Sequence, residues 1–314
     1  MFQRVKEAVE RGRRFIVATH VDPDGDALGS AFALGLALTQ MGKEAAVYLK
    51  GTIPYRYRFL PKPPIILNEL PRTGYDVAIV VDCGDLERVG DGFEALKACD
   101  ILINVDHHET NEAFGQLNIV DERASSTAEI LYLILGALGV RLSRDMAVNL
   151  YTAILTDTGS FRYDCTTQRA FSISEELVGL GVRPADVAAE VYESHPKERF
   201  LLLCQVLGTL ELHQHDKIAT AYVTQSMFER TGTNREYTEG FVENIREIRG
   251  VEVACLFREI GDGAYKVSMR SKDGVDVAAV ARSFGGGGHQ RAAGCTIEGD
   301  VQAVKNKVIG AFSL

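Results

Sequence analysis

The segment His20-Val-Asp22-Pro-Asp24-Gly-Asp26 gathers three carboxylates and an imidazole within seven residues. Acids crowd like this at a cost unless something cationic neutralises them. A calcium loop is one reading, because Asp22, Asp24 and Asp26 fill its first three odd positions. It fails where that loop needs glycine, here Ala27, and where it needs glutamate, here Ala33. Further acids recur downstream. Asp82 closes the apolar run DVAIVV, Asp106-His107-His108 follows DILINV, and Asp157 ends a helical pattern before Thr-Gly-Ser-Phe-Arg. Imidazole and carboxylate donors without thiolate suit manganese, magnesium or iron better than structural zinc. Six such ligands are too many for one catalytic ion with open positions, so two ions about 3.5–4 Å apart are expected. Asp82, on a central strand end, is the choice for the carboxylate they share. Such a pair would activate a bridging water and hold the attacking and leaving oxygens during displacement at phosphorus.

These residues need a scaffold that brings strand ends together. Phe15–Thr19, Ala45–Leu49, Asp76–Val81 and Asp100–Val105 are short apolar runs of the kind expected for strands buried on both faces. They alternate with helical patterns, beginning with small residues from about Ala27 to Met41, which predicts an α/β domain: a parallel sheet with helices on both faces. Ligands bind such sheets in the crevice at the carboxyl ends of their strands. Tyr55–Pro71 reads as an irregular excursion. Helical periodicity follows over Thr127–Leu138, Ser143–Thr156, Gln168–Leu180, Pro184–Glu193 and Pro196–Leu210. Beyond it, strands are expected at Ile218–Val223, Val251–Glu259 and Tyr265–Met269, and helices at Tyr237–Ile248, Asp276–Ser283 and Val301–Phe312. The expected division is a metal-binding catalytic domain over residues 1–195, a helical linker over 196–214 and a smaller α/β substrate-binding domain over 215–314.

Composition narrows the function classes. A net charge of −9 argues against a protein that coats long duplex nucleic acid, while leaving room for a small anionic substrate beside bound cations. No run approaches the roughly 18 apolar residues of a membrane span. The N-terminus lacks the apolar core of a signal peptide. Six scattered cysteines without a C-x-x-C pair suit reduced thiols in the cytoplasm.

At the acids and histidines the sequence resembles the DHH phosphoesterase superfamily. The marks are His20-x3-Asp24-x-Asp26, the Asp82 motif, Asp106-His107-His108 and Asp157. Phe284-Gly-Gly-Gly-Gly-His289-Gln-Arg-Ala-Ala-Gly294 resembles the glycine-rich motif of the DHH-associated C-terminal domain. Length and the stretch Thr156–Arg162 most resemble the nanoRNase and pAp phosphatase group, which trims very short RNA to mononucleotides and dephosphorylates adenosine 3′,5′-bisphosphate. The resemblance implies two manganese ions, with magnesium or cobalt as substitutes, on His20, Asp24, Asp26, Asp82, His107 and Asp157. It implies a catalytic set of His108, Asp82 and Asp106, with His108 contacting substrate phosphate.

On the substrate side, Gly285–Gly288 loses much conformational entropy on folding, which close approach of backbone N–H groups to a phosphate would explain. Gly286, Gly287, Gly288 and His289 are therefore expected to touch substrate. Arg270 and Ser271 resemble the family's second substrate-binding segment, and an arginine there can hold phosphate bidentately. Arg123 precedes the polar run Ser125-Ser126-Thr127 at a helix start, where phosphate contact and helix capping are both open readings. The expected substrates are short RNA and small nucleotides, with self-association as a homodimer left open. Alternatives are a phosphodiesterase for pApA, a RecJ-type exonuclease and a non-catalytic nucleotide sensor; the glycine motif argues against a pyrophosphatase.

Overall fold

A computed structural model describes residues 2–261, 263–272 and 274–312, and the chain divides into two compact units, Met1–Ser194 and His195–Leu314. The first unit runs α1 (Gln3–Arg11), β1 (Arg14–Ala18), α2 (Gly25–Gln40), β2 (Glu44–Tyr48), β3 (Ile66–Leu67), β4 (Val77–Val81), α3 (Glu94–Lys97), β5 (Ile101–Asp106), β6 (Leu117–Val120), α4 (Thr127–Ala137), α5 (Arg144–Asp157), α6 (Gln168–Gly179) and α7 (Pro184–Ala188). Its six strands form one parallel sheet in the order β3-β2-β1-β4-β5-β6. The order reverses at β1, so the loops after β1 and β4 part company there and leave a crevice at the strands' carboxyl ends. All five positions of β4 are buried, as a central parallel strand covered on both faces requires.

Alternate residues divide between two cores. Phe15 and Val17 face a cluster built with α1, α2, α4, α5 and α6. Ile16 and Ala18 face the other side, closed by Leu86 and Val89 of a 3₁₀ turn and Leu96 of α3. Helices thus cover both faces, as the alternation predicts, but unequally. Two glycines set the closest helix contact. A Cβ on Gly25 would run into the Thr156 side chain, and one on Gly29 into the Asn149 carbonyl oxygen. Their absence lets antiparallel α2 and α5 close on one another, which carries the start of α2 to the end of α5.

The second unit runs α8 (Lys197–Leu207), β7 (Glu211–His213), β8 (Ile218–Val223), α9 (Gln225–Thr231), α10 (Phe241–Arg246), β9 (Val253–Gly261), β10 (Ala264–Ser271), α11 (Val277–Ser283), β11 (Gly287–His289), β12 (Ala292–Glu298) and α12 (Val301–Gly310). Its mixed sheet has the order β11-β12-β10-β9-β8-β7. The helix expected as a linker is part of this unit, with Leu202 and Val206 buried in its core against Ala219, Ala221 and Phe241.

Several local expectations change. Tyr237–Ile248 is not one helix: Gly240 has a φ of +83°, which separates a 3₁₀ turn over Arg235–Thr238 from α10. Pro184–Glu193 is α-helical only to Ala188 and continues as a π turn. Asp157 is the last residue of α5 and not the first beyond it. Strands β3 and β6 are too short for their alternation to register in sequence, and β12 is built on the small residues Ala-Ala-Gly-Cys. Among the described residues no helix is long and apolar enough to cross a membrane.

Candidate metal centre

Each acid reaches the crevice for a local reason. The β1–α2 loop delivers His20, Asp24 and Asp26. Asp24 is the N-cap of α2, its Oδ1 accepting from the backbone N–H groups of Asp26 and Ala27. Asp26 points the other way and meets α4. Its Oδ2 accepts from Thr127 N–H at 2.6 Å, and its Oδ1 accepts from Ala128 N–H at 3.1 Å and from the Ser30 hydroxyl at 2.9 Å. Asp82 follows β4 with a φ of +53°, a left-handed conformation that Asp, Asn and Gly tolerate best. The Thr127 hydroxyl donates to its Oδ1 at 3.1 Å. The N-terminal turn of α4 therefore orients two carboxylates at once.

Both expected histidine ligands present the same nitrogen. His20 Nδ1 lies 2.8 Å from the Val21 carbonyl oxygen, and His107 Nδ1 lies 3.3 Å from that of Ala124. Donation to these carbonyls puts the proton on Nδ1 and the lone pair on Nε2, the backbone-fixed tautomer typical of metal ligands. His20 Nε2 then faces Asp82 Oδ2 at 3.7 Å. His107 Nε2 faces Asp157 Oδ2 at 3.2 Å, Asp82 Oδ1 at 3.6 Å and Asp26 Oδ2 at 3.8 Å. Most of these separations exceed a hydrogen bond. Lone pairs that converge at such distances repel unless a cation or proton lies among them.

The donors form overlapping groups: His20 with Asp24 and Asp82, then Asp26 with Asp82 and His107, then Asp82 with Asp106 and His108. Asp82 belongs to all three. The donor set, oxygen and imidazole with the histidine tautomers fixed by backbone, fits hard or borderline divalent ions. Electrostatics agree. Burial raises Asp26 well above the usual carboxylate range, reinforced by Asp82 and Asp157. Partial burial raises Asp157 to about 7, with Asp24 and Asp82 adding to it against the pull of His107. Burial opposes charge on His107, yet Asp157, Asp26 and Asp82 outweigh it and raise the imidazole to about 9. Burial likewise opposes ionisation of Asp82, but His20, His108 and His107 hold it well below the usual range. Protons stand in for the charge that cations would supply.

Asp106 has a different place from the other acids. It is fully buried, accepting from Asn111 Nδ2 at 2.6 Å and sitting 2.7 Å from His108 Nδ1. Asn111 is in turn tied to Asn104. Asp106 thus orients His108 through Nδ1. Asp106, expected in the catalytic set, is placed fully buried beside His108.

The polar run at the start of α4 resolves into scaffolding. Ser126 is the N-cap, accepting from Glu129 N–H, while the Ser125 hydroxyl donates to buried Glu129 at 2.6 Å. Arg169 of α6 pairs with Glu129 and also with Asp121 at 2.8 Å. Sequence reasoning missed this network, although Ser126-x-x-Glu129 has capping-box spacing. Arg123 remains exposed just ahead of it.

In the second unit, Arg270 Nε donates to half-buried Glu243 at 2.8 Å, and Glu243 is held below its usual range, against the effect of desolvation, by Arg270 and Arg246. Ser271 is fully buried and its hydroxyl donates to the Val275 carbonyl, so it secures a turn. The glycine run is not a flexible turn. It leads into edge strand β11, pairing Gly287 with Gly294, Gly288 with Ala293 and His289 with Ala292. A Cβ on Gly286 would strike Gly294 and Cys295, and one on Gly288, at φ +136°, would strike Ala292 and Ala293. Packing accounts for these two. Gly287 has nothing within 4 Å of a built Cβ, so its small size is not demanded by the fold.

Comparison with known proteins follows this division. Residues 14–154 match the DHH family, N-terminal domain, and residues 215–313 match the DHHA1 domain. The chain is 36% identical over 297 residues to the bifunctional oligoribonuclease and PAP phosphatase NrnA of Thermus thermophilus, covering 94% of this chain and 88% of that one. It is 28% identical over 262 residues to the protein of the same name in Bacillus subtilis, covering 82% and 81%. A crystal structure of an exopolyphosphatase-related protein from Bacteroides fragilis superposes with a TM-score of 0.89 at 26% identity, over 99% of this chain and 94% of that one.

Proposed function

The chain belongs to the DHH family with a DHHA1 domain, and on that premise we propose that it is a manganese-dependent hydrolase of very short RNA and of pAp. The products are mononucleotides in the first case, and AMP and phosphate in the second. The relatives named for both activities span nearly its whole length. The observation that carries the mechanism is the membership of Asp82 in all three histidine–carboxylate groups.

In this reading His20, Asp24 and Asp82 hold one ion, and Asp26, Asp82, His107 and Asp157 hold a second. Divalent ions bound there supply Lewis acidity toward water and the phosphate oxygens. The chain supplies the rest. Backbone N–H groups and Thr127 keep Asp26 and Asp82 in fixed orientations, so little reorganisation accompanies reaction. His108, aligned by Asp106, meets substrate phosphate through Nε2 and manages a proton there. Arg270, pre-set by Glu243, holds a phosphate of the substrate with His289 and the Gly287 backbone.

The test is turnover with manganese on RNA from dinucleotide to 20-mer, on pAp and on pApA. Mononucleotide release should be much faster from di- to tetranucleotides than from 20-mers, and pAp should yield phosphate. Equal rates per end across the length series would instead favour a processive single-strand exonuclease, and inertness toward every substrate would favour a sensor.

A further inference from the structure

We propose that Arg258 and Lys266 form a second phosphate site, one that engages an oligonucleotide beyond the phosphate held by Arg270 and His289. This rests on the proposed activity toward short RNA. The inference starts from strand register. Residues paired directly across a sheet point to the same face, and those two apart along a strand share it. Three rows follow on β9, β10, β12 and β11. The first is Arg258, Lys266 and Thr296; the second is Leu256, Ser268, Gly294 and Gly287; the third is Ala254, Arg270, Ala292 and His289.

The reverse face of these strands is buried under α11 and α12, through Phe257, Val267, Met269, Cys295 and Ile297. The face that bears the rows is open toward β11: Lys266 and Thr296 are exposed, and Arg258, Ser268, Arg270, Gly294, Gly287 and His289 are half-buried. Beyond buried Leu256, its middle row is a floor of small residues, Ser268, Gly294 and Gly287, between two cationic rows. Rows one and three lie four residues apart along β10, which is about 13 Å at strand rise. The layout suits phosphates two links apart in an oligonucleotide, one on each cationic row, with the stretch between them lying over the Ser268–Gly294–Gly287 floor. Gly287, whose small size the fold does not demand, lies in that floor.

Arg258 and Lys266 stand directly opposite one another across the ladder, so one phosphate can meet both. The ladder ends two pairs further on at Glu298, whose carboxylate would repel additional phosphate. The site therefore takes phosphodiester charge from a chain of a few nucleotides. The two phosphates of pAp, separated by a single ribose, are too close together to occupy both rows.

Binding tests this directly. In the full-length protein silenced by Asp82→Asn, fluorescence anisotropy follows a labelled RNA tetranucleotide across a salt series, with pAp as competitor. Adding R258A and K266A should weaken the tetranucleotide about tenfold and flatten the log–log salt slope by about 0.7, the value for one phosphate contact. Affinity for pAp should stay within twofold, and K266R should retain most tetranucleotide binding. The side chains lie outside the core, so the melting temperature should not move. An unchanged tetranucleotide affinity and slope would overturn the site, as would an equal loss for pAp, which would mark a diffuse effect of charge. The outcome separates from that of the proposed activity. A wild-type chain that binds through the ladder but releases no mononucleotide fails the activity alone. Turnover of short RNA with binding untouched in the variant fails the ladder alone.

Discussion

Asp26 Oδ2 accepts a 2.6 Å hydrogen bond from the backbone N–H of Thr127, 101 residues further along the chain. The bond puts a carboxylate at the N-terminus of α4, where unsatisfied N–H groups and the helix dipole favour negative charge. One side chain thus serves α4 as a hydrogen-bond acceptor and the candidate metal centre as a donor. Asp26→Ala should therefore do two kinds of damage. Activity should vanish, and the buried N–H groups of Thr127 and Ala128 should lose their acceptor at about 2–4 kcal/mol of stability. Denaturant unfolding without metal checks the second effect, and an unaltered midpoint would contradict it.

Asp82 allows two roles to be separated by choice of substitution. Asparagine tolerates the left-handed backbone at this position, while alanine pays roughly 1–2 kcal/mol there. Asp82→Asn should retain the wild-type melting temperature within a few degrees and Asp82→Ala should not. Both should abolish manganese-dependent turnover. More than a small residual activity in either would remove Asp82 from its place shared between two ions.

The contact between α2 and α5 should be as sensitive as the centre itself. Gly29→Ala would drive a methyl group into the Asn149 carbonyl, an atom with no side-chain freedom to yield. We expect a loss of about 1–3 kcal/mol from overpacking. Manganese affinity should also fall, because Asp157 on α5 is carried away from Asp24 and Asp26 on α2. Isothermal titration would show this, and wild-type affinity in Gly29→Ala would show that the helices need not touch for the site to form.

Protonation and metal should compete. Without metal, His107, raised to about 9, and Asp157, raised to about 7, both hold protons near neutral pH. Their raised values favour the folded state most at low pH. The Asp157 contribution fades as pH climbs from the unfolded carboxylate value through about 7, and the His107 contribution as it climbs through about 9. Metal-free stability should accordingly decline over that range, while manganese affinity rises. At pH 7 binding should release about one to two protons, seen as a calorimetric enthalpy that depends on the buffer's ionisation enthalpy. An enthalpy independent of buffer would contradict it.

Asp106→Asn should separate orientation from chemistry at His108. The amide can keep the place of the carboxylate while presenting the wrong partner to Nδ1–H. We expect kcat to fall by about 10²–10⁴-fold with manganese affinity and KM little changed. A rise in KM alone would assign Asp106 to substrate binding.

The sequence and the structure agree where chemistry and periodicity coincide. The clustered acids and histidines were legible because such groups are costly to gather, and the β4 and β5 runs because they are apolar throughout. What escaped depends on partners remote in sequence. Nothing in the order of residues tells that Thr127 serves Asp82, that Arg169 clamps Glu129, or that Gly29 meets Asn149. Ser271 shows the converse: sequence reasoning pairs it with Arg270 as a ligand contact, and the turn that its hydroxyl secures at Val275 is not visible there. Gly286 and Gly288 reflect the same ambiguity, since glycine serves close strand packing as readily as phosphate approach.

The closure of α2 on α5 also fixes when the centre can exist during synthesis. Residues emerging first supply His20, Asp24 and Asp26, but Asp157 and the helix that carries it leave the ribosome some 130 residues later. Until then Gly25 and Gly29 have no Thr156 or Asn149 to seat against, and the early acids lie beside an incomplete sheet. Ion loading is thereby delayed to the end of the first unit's folding, and a nascent chain stalled before residue 157 should bind manganese only weakly.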